Sequence, residues 1–249
     1  MIEHSGGNLS RAIQLLRTPF KRFWRREEEV PTRQSLLGFE PSEQYVGFLD
    51  ILGWGRYVRS DFDNAVRVYD AILEPVDLIL RQACTGKVSI RIFSDSILLV
   101  SSDLIPILTI ANTLHFTTLF QDCLLRGGIA RGKHVETGSQ EQLYIVSEAL
   151  VRAAELEKGA KNPCVVLDPR LDSQIPAAAL KTIPPFQRLI LYFEGCWIVN
   201  PFSIMWKTSA ATRVTQLKEQ YPEYADKYDW FLRLYEAVSF GAPLVPTGE

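Results

Sequence analysis

Two aspartates stand at points in the sequence where they could share a cation. Asp50 closes the apolar run Tyr45-Val46-Gly47-Phe48-Leu49, and a carboxylate there loses hydration unless donors or a cation face it. Asp95 sits in Ser94-Asp95-Ser96, between residues 88–93, which alternate apolar and polar, and the apolar run Ile97-Leu98-Leu99-Val100. If the two strands are neighbours, both carboxylates reach one sheet edge. There they offer the hard oxygen donors that one or two divalent ions (Mg²⁺ or Mn²⁺) take, with water and phosphate completing the shell. Taken singly, Asp50 also reads as a cap for the segment after it and Asp95 as an ordinary turn residue. Downstream, Leu125-Arg126-Gly127-Gly128-Ile129-Ala130-Arg131-Gly132-Lys133 places Arg126, Arg131 and Lys133 along a strand with little side-chain cover. Backbone can approach a ligand closely there and the cations can hold phosphates; the same run also reads as a glycine-relieved strand with exposed basic residues. Gly53, Trp54 and Gly55 form either a phosphate-facing turn or a plain connector.

The elements that must position these groups follow from periodicity. Residues 45–50 read as a buried strand, 66–80 as a helix, and 88–93 with 97–100 as a β-hairpin turning at Ser94-Asp95-Ser96. Asp103 can cap a helix that has Pro106 in its first turn and runs to Gln121. Then come a strand over 123–130, a helix over 147–158 ended by Gly159, a strand over 164–167 and a second hairpin turning at Glu194-Gly195. This order predicts an α+β fold, a ferredoxin-like or palm βαββαβ domain with helices on a largely antiparallel sheet.

Four blocks in this order carry a resemblance: Phe48-Leu49-Asp50-Ile51-Leu52-Gly53-Trp54; Phe93-Ser94-Asp95-Ser96; Arg126-Gly127-Gly128-Ile129-Ala130-Arg131-Gly132; and the helix from Ser147 to Ala160. Together they resemble the successive motifs of the class III adenylyl and guanylyl cyclase catalytic domain, over about residues 45–200. The specificity lies in the order and spacing of the blocks. The resemblance implies that Asp50 and Asp95 are metal carboxylates for two divalent ions, that Ile51 lends a backbone carbonyl and that Arg126 contacts a triphosphate. It also implies a head-to-tail homodimer with its active sites at the interface.

Two departures from the family pattern matter. The family's ribose asparagine and transition-state arginine fall at Val151 and Glu155, so the usual pair is missing, and Arg152 is the cation on that helix left to substitute. The base-reading positions fall at Arg91 and Tyr144. A tyrosine shrinks the pocket and an arginine offers donors to carbonyl oxygens, which suits a pyrimidine; arginine alone does not choose uracil or cytosine. This combination is similar to the pyrimidine cyclases of bacterial Pycsar antiphage systems, which implies UTP or CTP as substrate and a second messenger as product.

The bulk composition sets the limits. With 249 residues, 47% hydrophobic and 22% charged, the chain can bury a full core, and a net charge of -2 gives no field that would draw it to nucleic acid. Cys84, Cys123, Cys164 and Cys196 are widely spaced, which suits reduced thiols and a cytoplasmic location. No run is apolar enough for a transmembrane segment. Residues 1–44 read as a helical and basic extension, residues 45–200 as the catalytic domain and residues 201–249 as a helical extension. In the last, Val214, Leu217, Tyr221, Tyr224, Tyr228, Phe231, Tyr235 and Val238 recur at three- and four-residue steps.

Overall fold

The structure, a computed structural model, describes residues 38–138, 143–202 and 207–246. The expected amphipathic and basic N-terminal stretch lies, up to residue 37, outside the described residues. The chain divides into two compact units: residues 39–136 with 145–249 form one, and residues 1–38 with 137–144 the other. In the second, the described residues are Gly38 and the facing ends of two strands, Thr137 with Gly138 and Leu143 with Tyr144. The rest of this description concerns the larger unit.

Its centre is β1 (Ser42–Leu52), flanked on both sides by antiparallel neighbours, β3 (Ser96–Ser101) and β4 (Leu124–Gly138). β2 (Val88–Phe93) completes the hairpin with β3 through a turn in which Ser94 takes a φ of 59°. β5 (Leu143–Ser147) pairs with β4, and β6 (Val165–Leu167) adds to β4 in parallel. β7 (Ile190–Phe193) and β8 (Cys196–Val199) then form a hairpin whose turn holds Glu194 and Gly195 at φ 48° and 87°. The sheet order is β2-β3-β1-β4-β6-β8-β7. Its first four members have the ferredoxin-like arrangement, and the fold is α+β, as the element order predicts.

The helices are α1 (Trp54–Ser60), α2 (Phe62–Gln82), α3 (Leu104–Phe120), α4 (Glu148–Gly159), α5 (Ala177–Leu180), α6 (Lys207–Gln220) and α7 (Ala225–Ser239). α2 and α3 cover one sheet face, where Ile72, Ile107, Ile110 and Leu114 pack with Leu49, Ile51, Ile97, Leu99 and Ile129. α4 covers the opposite face at β1 and β4, with Ala149 against Val46, Leu98 and Val100. α6 and α7 enclose a second core with Leu191, Ile198 and Phe202. The apolar stripe of the tail is thus buried within this unit: Val214, Leu217, Tyr228, Phe231 and Val238 are all buried. After α7 the chain returns to the sheet, and the Tyr192 amide in β7 donates to the Leu244 carbonyl at 2.8 Å.

Four details differ from the sequence expectations. β4 extends well past Ala130: it stays paired with β1 as far as His134, and β5, which the sequence pattern did not reveal, pairs with it too. α1 begins directly at Trp54, and β1 starts at Ser42, ahead of the expected domain boundary. Asp103 does stand before α3, but its side chain makes no cap bond; Ser101 Oγ instead accepts from the Asp103 amide and donates to its carbonyl. No helix among the described residues is long and apolar enough to cross a membrane.

α4 can lie close to β4 because Gly128 has no side chain: a Cβ there would come within 2.5 Å of Leu156 Cβ and would also press on the Ala153 carbonyl. Gly128→Ala is therefore expected to cost about 1–3 kcal/mol through overpacking, read as a lower urea midpoint. An unchanged midpoint would show that α4 does not depend on this contact.

Candidate active site

The strand register places the expected residues. Asp50 lies opposite Ser96 on one side and Arg126 on the other, and the Ile51 amide donates to the Asp95 carbonyl at 3.0 Å. The β2–β3 turn therefore delivers Asp95 to the end of β1 that carries Asp50. Two acidic residues distant in sequence meet at one sheet edge through a backbone bond rather than through any motif of their own.

This closeness has an electrostatic consequence. The Asp50 carboxyl is pushed up to about 6, chiefly by burial, then by the negative charges of Asp95 and Glu157, with Arg126 opposing. Arg126 Nη2 lies 3.6 Å from Asp50 Oδ2 and also pairs with Glu157. Arg126 and Asp50 keep about a quarter of their side-chain surface, 27% and 23%, so a ligand can reach both.

Glu157 was missed in the sequence. It lies on the face of α4 that also carries the buried Ala153 and Ala149, four and eight residues back. A carboxylate on the inward face of a helix needs a cation opposite it, and that signal was legible. Its partner follows from the alternation of β4, where Arg126, Gly128, Ala130 and Gly132 share one face.

Other expected residues go elsewhere. Arg131 and Lys133 fall on the opposite face of β4 from Arg126, because the β1–β4 register runs without a bulge from Ser42↔His134 to Leu52↔Leu124. Arg131 lies over the Tyr45 ring at 5.5 Å and beside Glu43 at 3.8 Å, so it cannot join Arg126 on a phosphate. Trp54 turns its indole into the core, 5% exposed and stacked on Tyr57, leaving Gly53 at φ 79° to make the turn. Arg91 lies on the Asp50 face of the sheet, and its Nη2 donates to Glu136 Oε1 at 2.6 Å. Tyr144, in β5, belongs to the smaller unit.

Arg152 Nη1 donates to Glu148 Oε1 at 2.6 Å, and its Nε lies 3.2 Å from Asp168 Oδ2. Arg152 sits over Gly132, where a Cβ would meet its Nη2 at 2.7 Å. The stretch of β4 from Gly132 back to Arg126 spans about 20 Å at the usual strand rise. Within one chain, Arg152 does not share the Asp50 edge. Val151, at the expected ribose position, is exposed.

Among the described residues no group of three or more His, Cys, Asp or Glu side chains gathers as a metal cluster. The acidic residues brought together at the edge are Asp50 and Asp95. His115 is buried inside α3 and held down to about 4, and Cys123 and Cys164 are pushed up to about 12, in each case chiefly by burial. None of the three is poised for acid–base or nucleophilic work at neutral pH.

No family model and no curated protein sequence matches the chain. Solved structures do match at low identity. The adenylyl cyclase CyaB from P. aeruginosa is 11% identical with a TM-score of 0.47, over 65% of this chain and 96% of that one. The guanylate cyclase domain of RhGC from Catenaria anguillulae, in complex with GTP, is 14% identical with a TM-score of 0.48, over 65% and 98%. A bacterial light-regulated adenylyl cyclase is 13% identical with a TM-score of 0.48, over 87% and 72%.

The raised Asp50 carboxyl makes a stability prediction. The folded chain binds this proton more tightly than the unfolded one, whose value is 3.8. The group therefore costs nothing below about 4, destabilises the fold progressively as pH rises to about 6, and exacts its full penalty above that. In EDTA, Asp50→Asn should melt at a higher temperature than the parent at pH 7.5, with the gain disappearing near pH 4. A variant that melts lower at pH 7.5 would contradict the electrostatic account.

Proposed function

We propose that the chain is a pyrimidine nucleotide cyclase that converts UTP to 3′,5′-cyclic UMP and pyrophosphate, with CTP as the alternative substrate. The observation that carries this reading is the meeting of Asp50 and Asp95 at one sheet edge beside Arg126. The four sequence blocks that resemble the class III cyclases support it, and the antiphage role follows from that resemblance alone.

The residues fit divalent metal. Asp50 is a partly buried carboxylate that burial and like charge disfavour as an anion, and a hard cation would relieve both effects. Asp50, Asp95 and the Ile51 carbonyl would hold Mg²⁺ or Mn²⁺. When bound, the ions supply charge neutralisation for the triphosphate and a lower pKa for the ribose 3′-hydroxyl. That oxygen forms the new bond to the α-phosphorus in line with the departing pyrophosphate, so the chain contributes position and countercharge. Arg126, anchored by Glu157, faces the same edge and offsets charge on the leaving group.

A second copy completes the site. With Arg152 about 20 Å along β4 from the Asp50 level, it can serve that edge only from a partner chain. Arg91, which offers donors to a pyrimidine carbonyl, would come from the same partner.

A second reading, a nucleotide-binding regulator without turnover, is favoured by Val151 and Glu155 standing where the family has asparagine and arginine. Incubating the full chain with each ribonucleoside triphosphate and either metal, then identifying products by mass spectrometry, separates the two. Cyclic UMP or cyclic CMP is expected. Asp50→Asn and Asp95→Asn should each lower turnover about a thousandfold while size-exclusion elution stays unchanged. Full activity in either variant removes the metal assignment, and nucleotide binding without any cyclic product supports the regulator.

A further inference from the structure

Beyond Asp50 the end of the sheet opens into a cavity of about 600 Å³, a volume in the range of small-molecule sites. The sheet and the helical tail build it jointly. Leu52 and Gly53, two and three residues past Asp50, line it from the end of β1, and Leu124, opposite Leu52 in the register, lines it from β4. Tyr57 contributes from α1, and Tyr221, Tyr224 and Tyr228 contribute from the junction of α6 and α7. Phenol rings on several sides of one space favour a flat ligand, because ring pairs gain stability beyond the area they bury. Two of these rings are held before anything binds. Tyr57 stacks on Trp54 at an interplanar angle of 10°, and its hydroxyl accepts from Asn64 Nδ2 at 2.7 Å. Gln220 Nε2 donates to the Tyr221 hydroxyl at 3.0 Å. Walls set in advance lower the entropy lost on binding.

The charges narrow the ligand further. Asp122 and Lys227 are the charged residues of the lining. Both Asp122 oxygens accept from Arg213, which lies outside the lining, so that acid is already matched. Lys227 is placed differently. Its ammonium lies over the Tyr224 ring, 5.3 Å from the centroid, and a ring offsets less charge than a carboxylate does. It also stands in the first turn of α7, the end of a helix where a cation is unfavourable. Asp226, next to it, does not line the cavity. An anionic group on a ligand here would meet both the ammonium and the positive end of the helix.

We propose that this cavity is an effector site that takes a planar ring carrying one negative charge, with the ring against the tyrosines and the charge on Lys227. Two sources share that chemistry: a small aromatic carboxylate, and the cyclic nucleotide released at the adjacent edge. The second rests on the cyclase reading above. Leu52 and Leu124 lie two residues from Asp50 and Arg126, about 7 Å at the usual strand rise. Between Asp50 and Leu52 falls the Ile51 amide, whose bond to the Asp95 carbonyl brings the two acids together. A ligand that joins β1, β4 and the tail resists opening of that bond, which gives the site its route to the candidate chemistry.

Titrating 4-hydroxybenzoate, cyclic UMP and uridine into the full chain in EDTA, followed by calorimetry, tests the cavity apart from catalysis. At least one of the two anionic rings should bind, and neutral uridine should bind about tenfold more weakly or not at all. The two anionic arms show which source fits. Lys227→Met should weaken the anionic ring about tenfold, with Lys227→Arg restoring most of the loss. Asp50→Asn should leave the binding within about twofold of the parent, since the cavity begins past that residue. With ligand at about ten times its dissociation constant, hydrogen exchange at the Ile51 amide should slow about tenfold, the protection expected when opening of the edge empties the cavity. The proposal falls if neither anionic ring binds, if uridine binds as well as they do, if folded Lys227→Met binds like the parent, if Asp50→Asn abolishes binding, or if saturating ligand leaves exchange at Ile51 unchanged. Binding that depends on Lys227, in a chain that cyclises nothing, sustains the effector site and overturns the cyclase reading alone. Cyclic product without any such binding does the reverse.

Discussion

The site depends on the registration of β1 between two antiparallel neighbours. A strand held on both sides cannot slide without moving every side chain to the opposite face. Here a slip of one residue would turn Asp50 into the apolar layer under α2 and α3 and bring Leu49 and Ile51 out to the site. Those two residues are 0% and 1% exposed, so the hydrophobic core enforces the register that the chemistry needs. The polar edge is thus specified by side chains packed in the core.

The second constraint is the separation between α4 and β4. Gly128, Ala130 and Gly132 leave a shallow trough on one face of the strand, and α4 lies in it, with Ala149 and Ala153 wholly buried. Only at this close range does a carboxylate on the helix reach Arg126. Gly128 and Gly132, read in the sequence either as room for a ligand or as relief within a strand, make room for a helix. The ionic group formed there, Asp50, Arg126 and Glu157, couples sheet to helix beside the edge where the candidate chemistry lies.

Much of this was legible in the residues. Apolar runs located β1 and β3 and alternation located β2, Glu194-Gly195 marked the β7–β8 hairpin, and the helix expected from Ser147 is α4, with Ser147 itself as the cap whose side chain accepts from the Leu150 amide. What escaped detection has physical causes. β5 is short and its apolar residues are consecutive, so it shows no period of its own beside β4. Arg131 and Lys133 looked like partners of Arg126 by proximity in sequence, but odd and even positions of a strand face opposite ways. Trp54 was read by its neighbours Gly53 and Gly55, whereas its size decided the matter, since an indole with Tyr57 and Tyr69 at hand gains more from burial than from a turn. His134 lies in the part of β4 that runs past the expected end at residue 130.

The return of the chain after α7 to the outer strand β7 bears on solubility. A bare strand margin is a template onto which another polypeptide can grow. Here Leu244 occupies the Tyr192 amide, while Glu194 at the hairpin tip grips Trp230 and Arg233 of α7 and holds the last helix against that flank. The tail thus seals one end of the sheet against fibre-like stacking.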